Sequence, residues 1–134
     1  MNDLVMLALA VVLSWVMVMT AATLRTRTWT FAGMFRALSN RDALPEPSPL
    51  AARAERAARN MLENLLLFTA ALTAARLAGA DAARLALGAQ VFFWARLAYF
   101  PVYLAGIRYV RTALWAVGVV GIGIITMAAI DAAR

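Results

Sequence analysis

The fold is decided by the stretch Arg56-Ala57-Ala58-Arg59-Asn60-Met61-Leu62-Glu63, which stands at the head of a long apolar segment. At about 100° per residue, a helix gathers its polar side chains within a sector of roughly 100°: Arg56, Arg59, Asn60 and Glu63. The chain then continues without a charge to Ala75, so Glu63 lies on the way into hydrocarbon. A lone charge at that depth costs about 3 kcal/mol. The stretch therefore predicts a membrane helix whose carboxylate needs a cationic partner.

The composition places the chain among membrane proteins. Of its 134 residues, 64% are hydrophobic, and the mean hydropathy is +0.75, which suits four membrane-spanning helices and little else. The sequence contains 13 arginines but no lysine, histidine or cysteine. Imidazole catalysis, a protein thiolate and His- or Cys-ligated metals are therefore excluded, and no metal site is expected. The net charge of +6 points to anionic lipid or an anionic small molecule, not to nucleic acid.

Four apolar segments predict a single four-helix membrane domain over residues 1–134, with spans at about 4–24, 50–78, 82–107 and 112–130. A cleaved signal peptide is the competing interpretation of the first span, but that segment is too long and lacks a basic leading region. The connection at about 25–49 carries an apolar row at helical spacing: Phe31, Met34, Phe35 and Leu38. The row predicts a short helix lying in the membrane interface, with a continued first helix or an irregular loop as alternatives.

Capping and breaking residues mark the other helix boundaries. Ser48 is a candidate N-cap for the second helix, and a proline follows it at the first helical position. Gly79 ends that helix and Asp81 caps the third, so the second and third helices are predicted to be antiparallel neighbours. Pro101 predicts a kink in the third helix, and a turn over 106–109 leads to the fourth.

The distribution of arginine predicts the orientation in the membrane. The first and third connections, with the adjoining helix ends, hold nine arginines: Arg25, Arg27, Arg36, Arg41, Arg53, Arg56, Arg59, Arg108 and Arg111. The other side holds three: Arg76, Arg84 and Arg134. The positive-inside rule then places the arginine-rich loops in the cytoplasm and both termini on the opposite side of the membrane. The expected location is a bacterial inner membrane, with both termini in the periplasm.

The predicted partner of Glu63 is Arg96, in the middle of the third span. Both residues lie roughly 15–18 Å inside their cytoplasmic helix ends, so each would offset the cost of burying the other. Tyr99 and Tyr103 extend the face of Arg96 towards the cytoplasm, and the fourth helix begins near them at Arg111 and Thr112. Interhelical packing is the structural alternative. However, several arginines surround one buried carboxylate, and this surplus of positive charge predicts an acidic ligand.

Two motifs in this region resemble the MAPEG superfamily (membrane-associated proteins in eicosanoid and glutathione metabolism). The first is residues 56–63, and the second is Ala95-Arg96-Leu97-Ala98-Tyr99-Phe100-Pro101-Val102-Tyr103, which is similar to the third-helix pattern of the leukotriene-forming synthase. The resemblance covers essentially the whole chain and is to bacterial-type members similar to microsomal glutathione transferases. It implies an all-α four-helix transmembrane bundle that assembles as a homotrimer, with glutathione bound between adjacent protomers near the cytoplasmic face.

The resemblance also implies roles for individual residues. The glutathione-binding set would be Arg25 (from the neighbouring subunit), Arg56, Arg59, Asn60, Glu63, Arg96, Tyr99 and Tyr103. The catalytic thiolate-stabilising group would be Arg111, beside Thr112. Arg108 is the alternative, because the preceding turn is one residue shorter than in the prostaglandin-E-forming synthase. Tyr99 also stands where that synthase has histidine, and Trp115 where it has tyrosine.

Glutathione suits these residues chemically, because arginines can bind its two carboxylates and Glu63 its ammonium group. The predicted function is a glutathione transferase or peroxidase that detoxifies hydrophobic electrophiles or lipid hydroperoxides. One alternative is a non-catalytic lipid-binding or scaffold protein. Another is a small anion or proton transporter that uses Glu63 and Arg96. The expected partners are a hydrophobic small molecule or lipid, the membrane lipids and further copies of the chain.

Overall fold

The computed structural model describes residues 2–40 and 44–134, and these residues form five helices and no strand. The helices are α1 (Asp3–Thr26), α2 (Phe31–Leu38), α3 (Pro49–Leu77), α4 (Ala82–Ala105) and α5 (Arg108–Ala132). The short helix expected in the first connection is therefore present as α2. Arg41, which was counted among the cytoplasmic arginines, lies outside the described residues.

Three helices of the described chain, α1, α4 and α5, are long and apolar enough to cross a membrane. The longest helix, α3, is not among them, because charged side chains stand along its first half from Arg53 to Glu63. Its 29 residues extend about 43 Å at 1.5 Å per residue. Along this length α3 packs against α1, α4 and α5. It thus carries a polar segment beside three apolar helices.

One end of the molecule, here called the charge-matched end, is closed by two ion pairs. The Arg76 guanidinium, at the end of α3, binds the Asp3 carboxylate at the start of α1, with Nε donating to Oδ2 at 2.7 Å. Arg84 of α4 binds Asp131 of α5, with Nη1 and Oδ2 2.7 Å apart. Neighbouring helices therefore run antiparallel here, with the beginning of one beside the end of the next.

The opposite end is here called the arginine-rich end. The Arg25 Nε lies 3.1 Å from Oε1 of Glu55, which joins the end of α1 to the start of α3. Arg53 Nε donates to the Leu104 carbonyl oxygen at 2.8 Å. That carbonyl belongs to the last turn of α4, where backbone acceptors lack helical partners and a cation is favourable.

The helix boundaries follow from local capping. Ser48 Oγ accepts from the Ala51 amide at 3.2 Å, and Asp81 accepts from the Arg84 amide at 2.9 Å, both as predicted. Gly106 ends α4 with a φ of +79°, a conformation that glycine adopts without a steric cost. The expected turn over 106–109 is wrong in length, because α5 begins at Arg108 directly after the extended Ile107. Arg111 therefore lies in the first turn of α5.

Helices α4 and α5 approach each other backbone to backbone. A Cβ atom added to Gly88 would lie 2.8 Å from the Gly121 carbonyl oxygen, and one added to Gly121 would lie 2.7 Å from the Gly88 carbonyl oxygen. Small residues allow this closeness, which is the usual way that membrane helices gain packing energy. Beside this contact, the Phe68 and Phe92 rings stack with centroids 4.2 Å apart, which fixes α3 against α4.

Candidate functional site

The centre of the molecule holds a fully buried cation, Arg96 of α4, with an exposed fraction of 0%. Its Nη1 donates to Asn60 Oδ1 at 3.0 Å, and its Nη2 donates to Asn64 Oδ1 at 2.7 Å. Within the described residues, its Nε has no hydrogen-bond partner. Two neutral amides of α3 therefore hold the guanidinium, and no carboxylate neutralises it in this part of the chain.

The predicted ion pair between Glu63 and Arg96 is wrong. Glu63 is exposed on the protomer surface, whereas Asn60 and Asn64 face α4. On a helical wheel, Glu63 lies about 60° from Asn60 and about 100° from Asn64, so it turns towards the protomer surface when the two asparagines face α4. The predicted depth is right, because Arg96 of α4 lies beside the turn of α3 that contains Glu63. An amide oxygen can accept from a guanidinium without a second charge being desolvated, so the observed pairing leaves the Glu63 carboxylate in contact with its surroundings outside the protomer.

A glycine of α5 and two aromatic rings of α4 form the rest of the surroundings of Arg96. A Cβ on Gly118 of α5 would lie 3.0 Å from Arg96 Nε and 3.2 Å from Nη2, so the missing side chain provides the space for the guanidinium. The Arg96 Cζ also lies 5.5 Å from the Phe92 ring centroid and 5.4 Å from that of Tyr99. At these distances an aromatic face attracts a cation, which offsets part of the cost of its burial.

A row of contacts leads from Arg96 to the arginine-rich end. The Tyr99 and Tyr103 rings lie 5.2 Å apart, and the Arg111 Cζ lies 4.7 Å from the Tyr103 ring centroid. This row is here called the aromatic ladder: Phe92, Arg96, Tyr99, Tyr103 and Arg111. Four of its members are predicted site residues, three on one face of α4 and one at the start of α5: Arg96, Tyr99, Tyr103 and Arg111.

A second group of predicted residues lies on the surface of α3. Arg56, Arg59 and Glu63 are all exposed, share one face of the helix and form no ion pair with any described residue. They are here called the polar stripe. The same face continues as Leu66 and Leu67, which are 70% and 58% exposed. Because this face of the protomer changes from charged to apolar within one turn, it is unsuited to contact with hydrocarbon alone.

Arg25, at the end of α1, belongs neither to the aromatic ladder nor to the polar stripe. Arg25 is held within its own chain by Glu55 and by the Pro45 carbonyl oxygen. An open cleft of about 440 Å³ lies between α1 and α3, lined by Val18, Ala21, Glu55, Ala58, Arg59 and Leu62.

At the start of α5, the Thr112 hydroxyl donates to the Arg108 carbonyl oxygen at 3.2 Å. Of the two candidate thiolate residues, Arg111 lies over the Tyr103 ring as part of the aromatic ladder, and Arg108 is exposed.

The match to a protein-family model decides the family. The MAPEG family model matches residues 4–130, which span nearly all of the chain, including the polar stripe, the aromatic ladder and the helices that carry them. The chain belongs to the MAPEG family. No curated protein sequence matches it closely enough to count as a relative.

This MAPEG protein is an integral membrane protein of a family named for glutathione and eicosanoid metabolism. The family includes glutathione transferases and peroxidases and also non-catalytic members. Membership therefore establishes the class of the protein and leaves its reaction open.

Two residues of the site were missed from the sequence, Asn64 and Gly118. Asn64 follows Asn60 by four positions and so shares its helix face, a signal that was available in an otherwise apolar run. Gly118 carried no signal of its own, because its role depends on which side chain of α4 faces it. Both act on Arg96, one as an acceptor and the other as open space.

Proposed function

We propose that this MAPEG protein is a membrane-embedded, glutathione-dependent transferase or peroxidase for hydrophobic electrophiles or lipid hydroperoxides. In this proposal it works as a homotrimer in a bacterial inner membrane, with both termini in the periplasm and the site towards the cytoplasm. The observation that carries the proposal is the surplus of unpaired arginine at one end, where Arg56, Arg59 and Arg111 have no carboxylate partner among the described residues. Such a surplus favours a ligand with several carboxylates.

Glutathione matches the polar stripe group by group. Its two carboxylates can each accept paired N–H bonds from a guanidinium, which Arg56 and Arg59 offer. Its ammonium group needs an anion, and Glu63 is available because Arg96 is bound by the two asparagines instead. The absence of the expected ion pair thus supports the proposed ligand, since a Glu63 neutralised by Arg96 would bind an ammonium group weakly.

The position of the polar stripe supports a site between protomers. Arg56, Arg59 and Glu63 are exposed on the protomer surface, and a charge that faces lipid at membrane depth costs about 3 kcal/mol. A second copy packed against this face would cover both the stripe and the exposed leucines that follow it. In that arrangement, Arg25 and Glu55 of one copy would lie at the cleft beside α3, near a ligand held by the next copy.

Arg111 is the proposed thiolate-stabilising residue, with Thr112 beside it. A free thiol with a pKa of about 8.5 is only about 3% ionised at pH 7. Lowering that pKa by about two units would raise the ionised fraction to roughly three quarters, a gain of at most about 25-fold. Tyr103 holds the Arg111 guanidinium through its ring face, which limits the movement of the charge. The lipid-dissolved electrophile would then be attacked at the membrane surface, where proximity supplies the remaining acceleration.

The test is a calorimetric titration of the detergent-solubilised protein with glutathione, followed by a conjugation assay with a chlorodinitrobenzene-type substrate. We expect Glu63→Gln to weaken glutathione binding by about tenfold, because the ammonium group loses its anion. The matched control is Glu46→Gln, which removes an exposed carboxylate from the connection before α3. Absence of glutathione binding by the wild-type protein would overturn the enzyme assignment.

A non-catalytic lipid-binding protein is the second candidate, and one surface feature favours it. An apolar groove of about 330 Å³ follows α1 and is lined by Trp15, Val16, Met19, Thr20, Thr23 and Leu24, a surface that suits an acyl chain. Lipid binding without glutathione binding in the same titration would support this candidate. The transporter alternative loses its basis, because it required Glu63 and Arg96 to act as a pair.

A further inference from the structure

The short helix α2 has a fixed orientation on the end of α1. Arg27 follows α1 with a φ of +57° and turns the chain so that α2 packs back on the last turn of α1. A Cβ on Gly33 would lie 1.9 Å from the Arg27 carbonyl oxygen and 2.6 Å from that of Thr26. Only glycine fits this contact, so the Gly33 face of α2 is held against α1.

The opposite face of α2 is apolar and exposed. The exposed fractions of its four large side chains range from 52% to 81%: Phe31, Met34, Phe35 and Leu38. At about 100° per residue, the centre of this row lies about 150° from Gly33, so the row points away from the protomer. Among the helices, only α1 contacts α2. No described part of the same chain therefore covers the row.

Positive charge and membrane proximity accompany this apolar row. Arg27 is exposed and Arg36 half-buried, neither forms an ion pair with a described residue, and residues 26–40 contain no acidic side chain. Trp29, in the turn before α2, is also exposed. Because α1 is apolar and long enough to cross a membrane and ends at Thr26, α2 begins at the membrane boundary.

We propose that α2 is a docking surface for anionic phospholipid in the adjoining leaflet. The apolar row enters the boundary between headgroups and acyl chains, as interfacial helices do, and Arg27 and Arg36 contact the lipid phosphates. Charge favours this occupant over the same segment of a second copy, because residues 26–40 contain arginine and no acidic side chain, so two such segments would repel each other. The proposal does not depend on the proposed enzymatic function.

The natural chain contains no cysteine, so a single introduced cysteine can carry a spin label. Leu38→Cys places the label within the apolar row, at the last residue of α2, and Ala32→Cys places it on the same helix outside the row. The full chain is reconstituted in vesicles of phosphatidylcholine, with or without one third phosphatidylglycerol. Collision of the label with oxygen, which concentrates in hydrocarbon, is compared with collision with a water-soluble nickel chelate.

We expect the oxygen-to-nickel ratio at Leu38 to exceed that at Ala32 and to rise when phosphatidylglycerol is present. Each arginine at an anionic surface contributes about fivefold, so the ratio of docked to undocked α2 should increase by up to about 25-fold. The variant Arg27→Gln with Arg36→Gln should lose this increase. The matched variant Arg84→Gln with Arg134→Gln, which changes the net charge equally at the other end of the molecule, should keep it.

Three results would overturn the proposal. The first is a Leu38 label that is open to the nickel chelate in both kinds of vesicle, which would place α2 in water. The second is a label shielded from both reagents, which would indicate coverage by another copy of the chain. The third is a ratio that does not respond to phosphatidylglycerol, which would remove the preference for anionic lipid. The midpoint of thermal unfolding of each variant shows whether it is folded.

Discussion

The two ends of the molecule hold their arginines in opposite ways. At the charge-matched end, Arg76 and Arg84 each bind a carboxylate of a neighbouring helix. At the arginine-rich end, Arg25 is paired with Glu55, but Arg56, Arg59, Arg108 and Arg111 have no carboxylate partner among the described residues. The closed pairs join helices, whereas the open guanidinium groups leave positive charge for an external anion. The same side chain thus serves stability at one end and is available for binding at the other.

Only the arginine-rich end is connected to a charged side chain in the interior of the described structure. The aromatic ladder connects Arg111 to the buried Arg96, so positive charge continues inward from the arginine-rich end. The charge-matched end has no such continuation among the described residues, since its ion pairs are confined to the helix termini. Changes along the ladder should therefore affect both stability and activity, and changes at the charge-matched end should affect stability alone.

The largest effect is expected for Asn64→Leu, which removes one of the two acceptors of the buried Arg96. The guanidinium would keep a buried, unsatisfied N–H group, at a cost of about 3 kcal/mol in the free energy of unfolding. Asn64→Asp is the matched variant, because it keeps an acceptor and supplies a counter-charge; it should unfold close to the wild type. Chemical unfolding in detergent measures both. Equal stability of the leucine variant and the wild type would show that Arg96 does not depend on Asn64.

The next effect is kinetic. Under the proposed function, Arg111→Ala should slow glutathione conjugation at pH 7 by up to about 25-fold, because the thiol would lose the cation proposed to keep it ionised. Part of the loss should be recovered at pH 9, where the free thiol ionises without help. Arg134→Ala, at the other end of the molecule, is the control. A larger loss with Arg108→Ala would transfer the thiolate role to Arg108, despite the contact between Arg111 and Tyr103.

A smaller effect is expected for Asp3→Asn at the charge-matched end. The Asp3 side chain is 3% exposed and Arg76 42% exposed, so one partner is desolvated and the other reaches solvent. Loss of the paired, charge-assisted bonds should lower the free energy of unfolding by about 1.5 kcal/mol. The conjugation rate per folded molecule should stay at the wild-type value, and a fall in that rate would contradict the division of roles between the two ends.

The smallest effect is expected for Arg84→Gln. Its ion pair with Asp131 is 46% and 47% exposed, and pairs of this kind contribute about 0.5 kcal/mol because solvent and salt screen them. Unfolding at low and at high salt measures the contribution, which should disappear at about 1 M salt. A loss comparable to that of Asp3→Asn would mean that exposure does not separate the two pairs.

Most of the helices could be predicted because their signals are local. Apolar length, Ser48, Asp81 and the glycine turns each act within a few residues, and the i, i+3, i+7 spacing placed Tyr99 and Tyr103 with Arg96. The rotation of α3 could not be predicted in the same way. A helical wheel fixes the angle between Glu63 and Asn64 but not which of them faces α4, and that choice depends on packing against three other helices.

The glycine at position 118 has a consequence for how the chain enters the membrane. Arg96 is covered on one side by α3 and on the other by Gly118 of α5, yet α3 and α4 are joined by only a few residues. If α4 entered the membrane alone, the Arg96 guanidinium would lie in hydrocarbon without a hydrogen-bond partner, at a cost of about 3 kcal/mol. A hairpin of α3 and α4 carries the side-chain amides of Asn60 and Asn64 with it. Insertion would then proceed as a hairpin first, with α5 closing over the cation last.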